Sequence, residues 1–121
     1  MSNKIKITWI VMILIGISLF AYAKYAPAKY DAFADCITAA DATFYGTFWC
    51  PHCAEQKKAF GSSIQNILYV ECSTPDGKGQ TEICAQQGIE SYPTWIFADG
   101  SRESGFLSLE RLSQKTNCEL P

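Results

Sequence analysis

The sequence predicts an α/β fold: a mixed sheet of about four strands flanked by helices, with one apolar helix ahead of it. Three observations predict this. Stretches with helical apolar spacing alternate with short aromatic and β-branched runs, in the order helix, strand, helix, strand, helix, strand, strand, helix. A single sheet covered by helices on both sides is the natural packing for that order. A Cys-Pro-His-Cys run, Cys50 to Cys53, stands where one apolar run passes into the helix-forming stretch Ala54 to Ala59. Ile7 to Ala23 carries no charge at all.

That first segment, 17 residues long, would span about 25 Å as a helix, near the lower limit for crossing a bilayer. Trp9 and Tyr22 lie near its ends, where interfacial aromatics belong, and Lys4 and Lys6 before it favour a cytoplasmic N-terminus. It has no polar face, so a buried core helix does not suit it. The expectation for residues 1–24 is a single-pass membrane anchor with the rest of the chain extracytoplasmic. Ala21-Tyr22-Ala23 also fits a signal-peptidase site, and cleavage after Ala23 would release a secreted or periplasmic domain. Residues 25–29, with Pro27, form a tether, and 30–121 form one domain.

Within the domain, Tyr30, Phe33, Ala34 and Ile37 recur at helical spacing, giving a helix over roughly Ala28 to Ala40. Thr43 to Phe48 reads as a buried strand. The next helix runs from Pro51, whose missing N–H is harmless in a first turn, to Phe60, with Gly61 as its stop. Ile67 to Glu71 is a second strand, and Ser73 to Gly79 a loop rich in turn residues. Thr81 to Gln87 is a short helix closed by Gly88. Thr94 to Phe97 and Arg102 to Phe106 are strands joined by a hairpin turn, Ala98 to Ser101. Ser108 caps a last helix, Leu109 to Asn117, with Leu109 and Leu112 facing inward.

Composition narrows the function. From Tyr25 onward, 7 Lys and Arg stand against 12 Asp and Glu, a net of −5, which argues against a nucleic-acid surface. Six cysteines in an exported domain of fewer than 100 residues read as disulfide chemistry. Cys50 sits where free N–H groups and the helix dipole favour a thiolate, the species that attacks disulfides. Cys53, one turn inward, would resolve the mixed disulfide. The remaining four cysteines allow three pairings. Cys72 and Cys84 flank the Pro-Gly loop and would staple it, and Cys36 with Cys118 would tie the termini. An electron shuttle through Cys72 and Cys84 is the functional alternative. A zinc module using Cys50, His52 and Cys53 lacks a second close Cys pair. No metal or cofactor is expected.

The motifs in this order carry a resemblance. Phe44-Tyr45-Gly46-Thr47-Phe48-Trp49-Cys50-Pro51-His52-Cys53, Gln56-Lys57, Phe60-Gly61, Tyr69-Val70-Glu71-Cys72, Cys84, Tyr92-Pro93-Thr94-Trp95, Gly105 and Leu109-Glu110 resemble a thioredoxin-like fold. The match is closest to the domain fused to bacterial vitamin K epoxide reductase homologues, and it covers about Ala32 to Cys118. It implies a thioredoxin-like architecture, an exposed attacking Cys50, and a cis Pro93 facing the cysteine pair. The backbone beside Pro93 would bind extended substrate, with Trp49 and Tyr92 supplying apolar surface. Pro51-His52 resembles the DsbA family, which implies an oxidant: an imidazolium at His52 would stabilise the Cys50 thiolate and hence the reduced form.

The resemblance thus implies an enzyme, a protein thiol–disulfide oxidoreductase of the cell envelope. Its partners would be protein thiols and a membrane redox protein such as a vitamin K epoxide reductase homologue, because the family's quinone-reducing bundle is not in this sequence. A disulfide reductase or isomerase, for instance in cytochrome c maturation, reverses the direction, and a non-catalytic anchored domain is a further alternative. The chain departs from thioredoxins at Phe44, where those proteins carry a buried acid. Glu71 in the adjacent strand is either a proton acceptor for Cys53 or a hydrogen-bonded structural residue.

Overall fold

The computed structural model describes residues 2–121. Helix α1, Asn3–Tyr25, buries no residue, and its most apolar stretch has a mean hydropathy of 2.1. It is long and apolar enough to cross a membrane or to act as a signal sequence. Ser2 caps it, accepting from the Lys4 N–H at 3.3 Å.

The domain follows as α2 (Asp31–Ala39), β1 (Thr43–Gly46), α3 (Pro51–Phe60), β2 (Tyr69–Glu71), α4 (Glu82–Gln86), β3 (Thr94–Ile96), β4 (Arg102–Ser104) and α5 (Leu109–Thr116). The sheet order is β2-β1-β3-β4. β1 and β2 run parallel, joined by the α3 crossover, while β1–β3 and β3–β4 are antiparallel. This is a mixed four-stranded sheet with flanking helices, consistent with a thioredoxin-like fold.

Alternation along β1 explains the two cores. Phe44 faces the larger one, stacking on Trp95 at 5.1 Å between ring centres and sharing that core with Phe33 and Ile37 of α2, Phe60 of α3 and Leu112 of α5. Tyr45 faces the smaller one, with Cys72, Cys84 and Ile89 under α4. Gly46 returns to the first side. A Cβ there would stand 2.9 Å from Cys53 Sγ, so the residue's smallness is what admits the second cysteine.

Several elements differ from the sequence reading, among them β4, which ends at Ser104 and not at Phe106. The strand at Thr43 stops at Gly46, and Phe48 is 58% exposed rather than buried. The Phe48 N–H leaves the ladder to donate to Glu71 Oε1 at 3.2 Å, and Cys50 N–H turns back to the Thr47 carbonyl. A 3-10 segment, Gly61–Asn66, follows α3, where a plain loop would suffice. Gly61 does end α3, at φ 57°. The last helix is closed by Asn117 in the left-handed region.

Disulfides Cys36–Cys118 and Cys72–Cys84 are present, with sequence separations of 82 and 12. The first joins α2 to the segment after α5, and the second closes the loop that also carries the Ser73–Gln80 bridge.

Candidate functional site

Cys50 is the N-cap of α3. Its Sγ accepts from the Cys53 N–H at 3.3 Å and donates its own proton to the Tyr92 carbonyl at 3.6 Å. The first contact serves the thiolate and the second the thiol. Pro51 occupies the first helical turn, where no N–H is required. Both cysteines are free thiols. Cys50 keeps 6% of its surface and Cys53 none. Access to the attacking sulfur is therefore narrower than the resemblance implies, because the Tyr92 backbone lies against it.

Cys53 is a different kind of thiol. Burial pushes it up from the ordinary 9.0 to about 12, and its hydrogen bond with Cys50 adds to the rise. The Thr47 backbone and the charge of Lys57 act in the opposite direction. The pair thus couples a thiol at a helix start to one that strongly holds its proton.

Pro93 is fully buried, its peptide bond with Tyr92 is cis, and its carbonyl accepts from the Gly105 N–H at 2.8 Å. This seats the Tyr92 carbonyl beside Cys50. The Tyr92 hydroxyl accepts from Gln80 at 2.8 Å, and its ring meets Trp49 edge-on at 5.9 Å. Trp49 is 53% exposed and donates through Nε1 to Ser73 Oγ at 3.0 Å. Gly77 lies under both aromatic rings of the entry loop: a Cβ there would meet Phe48 at 3.6 Å and Trp49 at 3.7 Å. The stapled loop therefore supports an exposed aromatic ledge next to Cys50.

His52 is held at the surface by its own helix. Its Nδ1 lies 3.3 Å from Glu55 Oε2, and both side chains are largely exposed.

Glu71 is fully engaged. Oε1 accepts from the N–H groups of Phe48 and Ser73 at 3.2 and 2.9 Å, and Oε2 accepts from the Tyr69 hydroxyl at 2.6 Å. Three donors occupy the carboxylate, which suits a clamp between the entry loop and the stapled loop better than a base. Burial and the Glu71 hydrogen bond push the Tyr69 hydroxyl well above its usual range.

Gln56 has a role that periodicity does not disclose. Fully buried, its Oε1 accepts from Leu107 N–H and Trp95 Nε1, and its Nε2 donates to the Leu107 carbonyl. It fastens α3 to the segment after β4. The signal in the sequence is a polar residue on the same helix stripe as Cys53 and Phe60. Among the described residues, no cluster of three or more His, Cys, Asp or Glu side chains is placed to hold a metal ion.

No family model matches the chain. It is similar to the thiol-disulfide oxidoreductase LTO1 of Arabidopsis thaliana, with 45% identity over 84 residues. The match covers 65% of this chain and 22% of that protein, so the chain spans about a fifth of the relative's length.

Proposed function

We propose that this chain is an extracytoplasmic thiol–disulfide oxidoreductase that oxidises thiols of exported proteins through Cys50 and Cys53. It then passes the electrons to a membrane redox partner, for which a vitamin K epoxide reductase homologue is the fitting class. The observation that carries the reading is the Cys50 cap. One sulfur sits at the start of a ten-residue helix, accepts the backbone N–H of the other cysteine, and lies against the carbonyl before a buried proline. Similarity to a protein named as a thiol-disulfide oxidoreductase supports the chemistry. The apolar α1 supports export.

In the forward direction a substrate thiolate attacks Cys50 Sγ of the oxidised pair. The Cys50–Cys53 bond breaks, and Cys53 leaves with the electron pair. A second substrate thiolate then attacks the substrate sulfur of the mixed disulfide, releasing oxidised substrate and the Cys50 thiolate. The helix start stabilises that thiolate, which favours the reduced enzyme and oxidation of substrate. The Trp49 ledge and the Tyr92 backbone would receive the substrate segment beside the cysteine.

Trapping tests the reading. A Cys53→Ser chain, expressed in the membrane of its host, is expected to accumulate mixed disulfides on Cys50 that dithiothreitol releases and Cys50→Ser abolishes. A Cys53→Ser protein that traps neither exported proteins nor a membrane protein would contradict it.

A further inference from the structure

The position six residues before Cys50, an acid in thioredoxins, is Phe44, and Glu71 is consumed by three hydrogen bonds. Neither position therefore offers Cys53 a free carboxylate. What the fold does bring to Cys53 is a cation. Lys57 lies four residues further along α3, on the same stripe of the helix, and is half-buried, whereas Lys58 beside it is exposed. The Lys57 Nζ lies 4.0 Å from the centre of the Tyr69 ring. An edge of that ring and Cys53 Sγ share the space left open at Gly46: a Cβ there would stand 3.2 Å from Tyr69 Cε2 and 2.9 Å from Cys53 Sγ. The Tyr69 hydroxyl is tied to Glu71, which fixes the ring as a seat for the ammonium. The groups that act on Cys53 are Cys50 and Lys57 on α3 and the Thr47 backbone, while Tyr69 of β2, tied to Glu71, lies with it around Gly46.

We propose that the Lys57 ammonium, seated on Tyr69, is the charge that stabilises Cys53 as a thiolate when the Cys50–Cys53 bond opens or closes. The proposal rests on the reading of these two cysteines as the redox pair. The step balances without a relay. An incoming thiolate forms a bond to Cys50 Sγ and is oxidised, the Cys50–Cys53 bond breaks, and Cys53 is reduced and carries off the negative charge that the thiolate brought. Lys57 offsets that charge in a buried place, and Cys53 afterwards takes a proton from solvent. In the reverse direction the same cation favours the Cys53 thiolate that attacks Cys50. Tyr69 and Glu71 are positioning residues that hold Lys57 in place.

The test uses the full chain in detergent micelles, oxidised, with glutathione as the attacking thiol and cleavage followed by rapid quenching and mass analysis. Lys57→Met keeps the aliphatic stem and removes the charge. It is expected to slow cleavage about tenfold, as loss of a nearby opposite charge does. Lys57→Arg is expected to recover most of the rate, and Lys58→Met to leave it unchanged. A Lys57→Met protein that reacts like the parent, a Lys57→Arg protein as slow as Lys57→Met, or an equal loss in Lys58→Met would overturn the proposal. Should Lys57→Met not fold, Lys57→Gln against Lys57→Arg makes the same comparison. If the parent disulfide itself resists glutathione at every pH, the redox reading fails, and that result is distinct from a parent that reacts and a Lys57 variant that reacts equally.

Discussion

Cys50 with Cys53 and Cys72 with Cys84 are two close cysteine pairs on either side of one loop contact, yet the chain treats them oppositely. The first pair is free, and its leading sulfur caps a helix, receives a backbone N–H and lies against a carbonyl. The second is closed, fully buried in the smaller core against Tyr45 and Ile89, and holds a loop whose Ser73 anchors Trp49. Cysteine proximity is common to both. What separates a reactive pair from a staple here is the helix start, with its spare donors and its opening to the aromatic ledge.

The sharpest way to break this comparison is to disable each pair in turn. Cys50→Ser is expected to reduce thiol exchange to background while the fold, followed by circular dichroism, stays intact. Replacing Cys72 and Cys84 together by Ser is expected to leave exchange measurable and to cost up to ~3 kcal/mol of stability on a chain-entropy estimate. The same replacement at Cys36 and Cys118, which close a far longer loop, is expected to cost up to ~4.5 kcal/mol. Denaturant titration reads both losses. An exchange-dead, well-folded Cys72→Ser, Cys84→Ser protein would instead make that pair an electron shuttle.

Glu71→Gln comes next. It weakens three hydrogen bonds, those to Phe48, Ser73 and the Tyr69 hydroxyl, and is expected to cost about 1.5–3 kcal/mol. The same variant should slow exchange only a few-fold, because the carboxylate is read as a clamp. Gly46→Ala drives a methyl to within 2.9 Å of Cys53 Sγ and is expected to cost about 1–3 kcal/mol in the reduced protein.

The smallest effect near neutrality is the pH dependence. Folding keeps the proton on Cys53 up to about 12, while an ordinary thiol releases it near 9.0. The raised value therefore contributes stability that is whole below pH 9 and is lost as pH climbs towards 12. The oxidised protein has no such thiol. The melting temperature of the reduced form should fall relative to that of the oxidised form across this window and run parallel to it below.

The element order was legible because apolar period and punctuation agree locally. Pro51 and Gly61 bracket α3, Gly88 follows α4, and Ser108 and Asn117 bound α5. What was not legible depends on partners distant in sequence. The exposure of Phe48 follows from a carboxylate 23 residues away. The burial of Gln56 depends on Leu107, 51 residues on. His52 reads as a neighbour of the sulfurs, but its ring is held by Glu55 one turn along. The need for glycine at position 46 appears only when α3 is laid over β1, and the seat of Lys57 only when β2 is laid beside both.

The reduction potential of the Cys50–Cys53 pair, measured by equilibration with glutathione buffers and with the bond located by mass analysis, decides between an oxidising and a reducing site. One reversible two-electron couple confined to these two cysteines is expected, with a potential nearer the about −120 mV of DsbA than the about −270 mV of thioredoxin. A potential at or below thioredoxin's would contradict the proposed oxidising direction, and a couple located at Cys72 and Cys84 would contradict the assignment of the site.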